Sequence, residues 1–504
     1  MGDLVILPGK GSEEASVHAE SGPRRQCWEC VRRRLVCDYG KPSCKKCEKA
    51  GVDCPGYSEK KPLKWVAPGK VTSRTRRRKS PPRKKENPTK EQTHDIKLLE
   101  IAGKTCVESI SAAMLRVDET SAIVHAIHYY NTQVFNDMMP VSKMAPNSPY
   151  LVFIPLEMVH YYSDCMRNIM VCIAIGHAIH RLPRPSNNCA LTYAWSRLYH
   201  YRGLAIQELS QAIGNETKRT KLQTFGGIFM LMVAELRHLS SDWRHHFEGT
   251  MQLIQIRGGL RRFLDDAPTM KWCVLYFIIV AVLGNTTSPS SDQIPTSIRG
   301  FVELIAELYP EGFYPTVLCP PPLFLHIIAI SHLRDEASTA LFIDKSMQSA
   351  AEELLRQINT FSPEEYAATQ DFGQEEWLLL SRIYQSAVAL YCISSLQSLF
   401  VLPFTPQLRI ARTAHKTSLF TLLKKAMASP VTKICMLWPL IVAGVEARDA
   451  SLDVKLCIGH GLEEMSWQQG TTMPLYGLQV LKNFWDSGKT EWDECFHKPF
   501  AFVI

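Results

Sequence analysis

The sequence predicts a small cysteine-stapled module of two short helices, a basic linker and a large all-α domain. Three observations carry this. Six cysteines crowd between Cys27 and Cys54, where the chain average predicts about one. Lys60 to Lys90 holds 13 Lys and Arg against one acid, Glu86, and is broken by Pro62, Pro68, Pro81, Pro82 and Pro88. From about residue 118 onward apolar residues recur at helical spacing, and no stretch alternates convincingly with period two. A length of 504 residues suggests two or three domains, and 46% hydrophobic residues suffice for a sizeable core.

In order, residues 1–23 are polar, rich in Gly, Ser and Glu, and expected to be disordered. Residues 24–58 hold the cysteine module, and residues 59–95 form the linker. Residues 96–117 offer Ile96, Leu99, Gly103, Cys106, Ile110, Ala113 and Val117 at heptad positions. About half are strong seam residues, which makes this a weak dimerisation helix or the first helix of the large domain. Residues 118–504 form the all-helical domain.

The cysteines read Cys27-x₂-Cys30-x₆-Cys37, then Cys44-x₂-Cys47-x₆-Cys54, so the second three repeat the first at an offset of 17. Structural zinc takes four tetrahedral ligands, commonly thiolates. Six sulfurs serve two Zn²⁺ if two of them bridge. Sharing the first cysteine of each half gives Cys27, Cys30, Cys37 and Cys44 for one ion, and Cys44, Cys47, Cys54 and Cys27 for the other. Three disulfides would need an oxidising compartment, and residues 1–26 carry no sustained apolar leader. Two independent sites would need eight ligands, and no histidine lies between Cys27 and Cys54. The other ten cysteines lack pairing spacing and fit buried free thiols.

Charge is uneven. Residues 1–95 hold 23 Lys and Arg against 12 acids, and the remainder 34 against 37, so the N-terminal end is the nucleic-acid end. Arg32, Arg33 and Arg34 lie between Cys30 and Cys37, where a short metal-anchored helix can face a DNA groove. Arginine's planar fork matches guanine O6 and N7. Lys45 and Lys46 suit phosphates, which position a protein without reading sequence. The bland reading of the arginines is a solvated face that offsets the cluster's net negative charge. Arg76, Arg77, Arg78, Lys79, Arg83, Lys84 and Lys85 read as a nuclear localisation signal.

The cysteine spacing and the Lys41-Pro42 loop resemble the fungal Zn₂Cys₆ binuclear-cluster transcription factors. The resemblance implies a cofactor of two Zn²⁺ per chain, a nuclear location and double-stranded DNA as partner. It also implies base contacts at Arg33 and Arg34, and recognition of CGG-like triplets, by a dimer where two triplets are read. The family usually carries a basic residue where Val31 and Val36 stand here, which puts some phosphate contacts in doubt. Lys61-Pro62-Leu63-Lys64-Trp65 onward resembles the acriflavine-sensitivity-control subgroup. Trp243 to Gly249, Trp438-Pro439-Leu440, Ala443-Gly444, Glu446-Ala447, Leu475-Tyr476-Gly477-Leu478 and Trp485 resemble the family's all-helical regulatory domain, which contacts co-regulators or effectors.

Within that domain, Pro155 opens a helix whose stripe runs through Val159, Tyr162, Met166, Ile169, Ile173 and Gly176 and stops by Pro183. Trp243, Phe247, Met251 and Ile254 share a face that ends at Gly258-Gly259. Trp272 to Gly284 is apolar but short of the ~20 residues a membrane span needs, so it reads as a buried core helix, and no membrane partner is expected. Loops are expected at 285–295 and 310–322. Asn285-Thr286-Thr287 is a sequon that an intracellular protein would not use. Trp492 to Phe496 is too short for an activation segment.

No catalytic constellation appears at a recognised spacing. His177 and His180 lack a His-Glu-x-x-His frame, adjacent His245 and His246 read as capping or core residues, and no phosphate loop or nucleophile elbow is present. The chain therefore reads as a non-enzymatic, sequence-specific regulator of RNA polymerase II genes. The alternative is an interaction or effector-sensing protein whose cluster binds DNA only nonspecifically.

Overall fold

The computed structural model describes residues 26–57, 118–182, 189–238, 243–294, 299–308 and 317–503. The polar N-terminus, the linker with its localisation signal and the heptad segment 96–117 lie outside them. The chain divides into two compact units, Met1–Asn87 and Pro88–Ile504. Among the described residues there is helix and no strand, as the periodicity predicts.

The first unit holds α1 (Trp28–Arg33) and α2 (Lys45–Glu48). The second opens with α3 (Glu119–Tyr129), capped by the Asp118 carboxylate, and continues through a π-helical turn at Tyr130–Val134. The helix expected from Pro155 is interrupted. A 3₁₀ turn spans Leu156–Tyr161, and Ser163 then caps a separate helix, α4 (Asp164–Arg181), by accepting from the Met166 amide. Helices α5 (Cys189–Gly214), α6 (Leu222–His238) and α7 (Trp243–Ile256) come next. Helix α4 packs on α3, α5 and α6. Alanines 122, 126, 174, 178 and 194 keep those neighbours close. The Trp243, Phe247 and Ile254 face is buried, and Gly258 and Gly259, at φ 96° and 92°, end that segment in a conformation L side chains rarely adopt.

Helix α8 (Lys271–Thr286) is buried from Cys273 to Thr286. The segment Pro268–Thr286 is long and apolar enough to cross a membrane, but 78% of its apolar window is buried inside this fold. It bridges to the C-terminal helices through α9 (Pro321–Thr339), which packs on α10 (Gln374–Ser398). Helices α11 (Pro406–Met427), α12 (Leu437–Glu446), α13 (Leu452–Gln469) and α14 (Met473–Ser487) complete the core.

The end of α8 is where distant segments meet. Thr286 accepts the indole N–H of Trp438 at its hydroxyl and that of Trp492 at its carbonyl, both at 2.9 Å. Arg334, fully buried, donates to the Asn285 and Ser288 carbonyls at 3.0 and 3.1 Å and pairs with Asp493. Asn285 is buried with its amide bonded to both backbone groups of Ile294, so the sequon asparagine is structural. Trp492, Cys495 and Phe496 are core residues. Seven other cysteines are buried as expected, at 165, 172, 273, 319, 392, 435 and 495, whereas Cys457 is exposed.

The family-like glycines have a packing reason. A Cβ on Gly444 would lie 2.2 Å from Leu481, and one on Gly477 would lie 2.5 Å from Ile441, so α12 and α14 meet nearly backbone to side chain. Gly444→Ala should lower stability by about 1–3 kcal/mol through overpacking. Gly249→Ala, which meets nothing within 4 Å in mid-helix, should raise it by up to ~1 kcal/mol. Urea unfolding of both variants checks the contrast.

Buried histidines give a pH dependence. Burial lowers the His177 pKa against the opposing hydrogen bond that its ring donates to Asp137, and burial beside Arg237 puts His238 well below its usual value. Both stay neutral when folded but take a proton near pH ~6.5 once unfolded. Their contribution is therefore complete above that pH and is lost as pH falls toward the folded values. Unfolding midpoints tracked by circular dichroism should drop between pH 7.5 and 5, and His238→Asn should flatten the decline.

Candidate metal centre and nucleic-acid interface

Helices of six and four residues do not persist alone in water. Here each is held by a sulfur at its N-cap. Cys27 Sγ accepts from the Cys30 amide and Cys44 Sγ from the Cys47 amide, both at 3.4 Å. The two halves close on each other through their thiols. Cys27 Sγ lies 3.6 Å from that of Cys44 and 3.8 Å from that of Cys47, and Cys30 Sγ lies 3.6 Å from that of Cys44. Tetrahedral zinc with Zn–S near ~2.3 Å separates its sulfurs by ~3.8 Å. Two four-sulfur groups form, Cys27, Cys30, Cys37, Cys44 and Cys27, Cys44, Cys47, Cys54, each with its sulfurs within 4.8 Å. Cys27 and Cys44 belong to both, as the sequence repeat anticipates. Five of the six are buried and Cys54 is half-buried. The donor set fits two tetrahedral thiophilic cations.

Thiol chemistry points the same way. Burial pushes Cys47 up to about 12, and Cys44 and Cys27 beside it add to the rise. Burial, then Cys27 and Cys44, raise Cys30 further still. Burial also works to raise Cys37, but the amides of Cys27 and Tyr39 and the Tyr57 hydroxyl bring it down to about 7. Cys30 and Cys47, held protonated in this way, become ligands only when a metal displaces their protons.

Three further residues shape the module and escaped sequence reasoning. Asp38 accepts the Lys45 and Lys46 amides at 3.0 and 3.3 Å, which starts α2 and holds the carboxyl below its usual range. Tyr57 donates to the Gly40 carbonyl at 2.7 Å. Glu29 grips Arg32 with two bonds of 2.8 and 2.6 Å. That last pair was legible as an acid three residues before a base on one helix. Nothing local marked the other two.

The arginines therefore separate. Arg32, exposed, lies against Glu29. Arg33 closes α1, and Arg34 turns out of it at φ 58°, the left-handed region. Both are exposed, as are Lys45 and Lys46 on α2. Val31 and Val36, standing where the family is usually basic, are 50% and 77% exposed. The localisation-signal residues lie outside the described ones.

Among the histidines, His177 bonds Tyr129 and Asp137 at 3.0 and 3.1 Å. His246 bonds buried Glu235, which also holds Arg202. His245 is exposed, neither cap nor core. The partners of His177 and His246 among the described residues include no serine or cysteine side chain.

The family model for the fungal Zn(2)-Cys(6) binuclear cluster domain matches residues 25–64, and that for the fungal specific transcription factor domain matches residues 125–488. The chain belongs to the fungal zinc-cluster transcription factors. This is a family of regulators, not enzymes, and membership implies DNA binding and a nuclear location. A phomenoic acid biosynthesis cluster-specific transcriptional regulator of Leptosphaeria maculans is 32% identical over 98% of this chain and 92% of its own length. The acriflavine sensitivity control protein acr-2 of Neurospora crassa is 22% identical over 86% of this chain and 87% of its own. Arginine metabolism regulation protein II of Saccharomyces cerevisiae is 33% identical over 60 residues, 10% of this chain and 7% of its own. No solved structure matches the chain significantly.

Proposed function

We propose that this zinc-cluster factor is a sequence-specific regulator of RNA polymerase II genes that reads CGG-like triplets in the major groove. In this reading it holds two Zn²⁺ per chain, bridged by Cys27 and Cys44 and completed by Cys30, Cys37, Cys47 and Cys54. The observation that carries it is the pair of four-sulfur groups sharing two sulfurs, one of which, on Cys27, caps the helix that ends at Arg33, with Arg34 following it. The ions would fix the backbone of α1. Arg33 and Arg34 would then meet base edges with little conformational freedom left to lose. Lys45 and Lys46, on amides held by Asp38, would contact phosphates. Arg32 would act at the backbone, since Glu29 restrains it.

The remaining regions fit the same account. Arg76 to Lys79 and Arg83 to Lys85 would carry nuclear import, and residues 96–117 would pair two chains on paired triplets. Residues 118–504 would regulate through co-regulators. The name of the Leptosphaeria maculans relative supports control of a set of biosynthetic genes as the biological setting.

Selection of the full chain on random DNA should return a reproducible guanine-containing motif. No motif would favour nonspecific binding by an interaction protein. On the selected site, Arg33→Ala or Arg34→Ala should weaken specific binding by about 1–3 kcal/mol and leave zinc content unchanged. Lys45→Ala or Lys46→Ala should weaken all sequences alike and reduce the salt slope by about 1. Equal losses on selected and scrambled DNA for the arginine variants would make them phosphate anchors.

A further inference from the structure

The helical unit holds a half-open cavity of about 490 Å³. That lies in the ~300–1,000 Å³ range of small-molecule sites. Its wall draws on α4, α6, α8 and the π-helical turn Tyr130–Val134, a rare distortion that often marks a functional site. Phe229 and Trp272 give it flat apolar surface, and Met138, Met166, Met170, Met230 and Met270 supply an adaptable lining. Tyr161 and Leu222 on its lining are 63% and 37% exposed.

Two polar side chains on this wall each carry a donor without a partner among the described residues. Arg237 is 7% exposed, and Tyr276 is 5% exposed. Among the described residues the Arg237 Nε and the Tyr276 hydroxyl have no hydrogen-bond partner. Arg237 Nη2 donates to the Gln469 carbonyl at 2.7 Å, a neutral acceptor. No described carboxylate stands within ion-pair distance of this guanidinium. The carboxylate of Asp137 is committed to His177 at 3.1 Å and Arg181 at 3.8 Å. A buried cation without an opposite charge is unfavourable, and burial depresses its proton affinity.

We propose that this cavity binds a small amphipathic carboxylate, its apolar body against the methionines and rings and its acid head on Arg237 Nε and Tyr276 Oη. A carboxylate accepts from both donors and supplies the missing negative charge. An alcohol supplies acceptance without charge, and an amine leaves the guanidinium facing a like charge. Ordered water could satisfy the donors but would leave the apolar wall wet. The site is remote in kind from DNA reading and would make the helical unit responsive to an acidic metabolite. Arg237 also gives it a mechanical link. The Arg237 carbonyl accepts from the Thr471 hydroxyl at 2.6 Å and the Thr472 amide at 2.8 Å, so the residue that holds the head also holds the α13–α14 junction.

The test is calorimetric titration of the zinc-loaded full chain with decanoate, and in parallel with decan-1-ol and decylamine. One decanoate per chain should bind, at least tenfold tighter than decan-1-ol, with decylamine weakest. Arg237→Gln should reduce decanoate to the level of the alcohol, and Tyr276→Phe should weaken it several-fold. Because Arg237→Gln can loosen the fold, Gly226→Phe is the second variant. It fills the cavity from α6 without touching Arg237 and should abolish binding of both acid and alcohol while unfolding normally. Absence of decanoate binding, equal affinity for acid and alcohol, or undiminished binding in Gly226→Phe would overturn the proposal.

Discussion

Six thiols gathered into two groups of four, each with its sulfurs within 4.8 Å of one another, cannot all ionise unless cations sit among them. Everything at the DNA end depends on that constraint. The helices carrying the basic residues are a turn or two long, and their N-caps are the two sulfurs common to both four-sulfur groups. Without cations the thiols would stay protonated, the metal–sulfur bonds would be missing, and among the described residues nothing of comparable strength would hold the halves together. The module has little other apolar core: Tyr57 is the one non-cysteine residue packed against it among the described residues. Metal binding and folding would therefore be one equilibrium in this unit.

The helical unit solves a different problem, holding together segments hundreds of residues apart. It does so with a few buried polar groups amid a continuous apolar core. Arg334 and the last turn of α8 collect Tyr391, Asp493, Trp438 and Trp492, all within hydrogen-bond or ion-pair reach. Ser394 and Arg412 do the same for buried Glu446, at 2.5 and 2.8 Å. Such groups tolerate one arrangement, because any slip leaves a buried charge or donor without its partner. The same rule makes the unpartnered donors of Arg237 and Tyr276 informative where a partner would be expected.

The DNA-binding end was legible because its determinants are local. Cysteine spacing specified both four-sulfur groups and their shared pair, and the helix character of the described residues from 118 onward came from periodicity. Boundaries were less legible. The stripe from Val159 to Gly176 ran straight through Ser163, where a side-chain cap outcompeted continuation and started a new helix. Asp38 and Tyr57 could not be foreseen, because their partners are backbone groups brought near only after the halves close. Thr286, Arg334 and Glu446 escaped notice for the same reason at longer range. The arginine run looked uniform in sequence, yet Glu29 and the left-handed turn at Arg34 make its three members unlike one another.

The central claim is that two shared sulfurs bind two ions and that this assembly presents α1 to DNA. Native mass spectrometry of the full chain, read beside its DNA affinity, tests it most directly. The account predicts two zinc ions per chain for the wild type. Cys44→Ser, which removes a shared sulfur, should lose both ions and specific DNA binding together. Cys54→Ser should retain more zinc than Cys44→Ser. A wild-type chain carrying one zinc or none while binding its selected site at full affinity would contradict it.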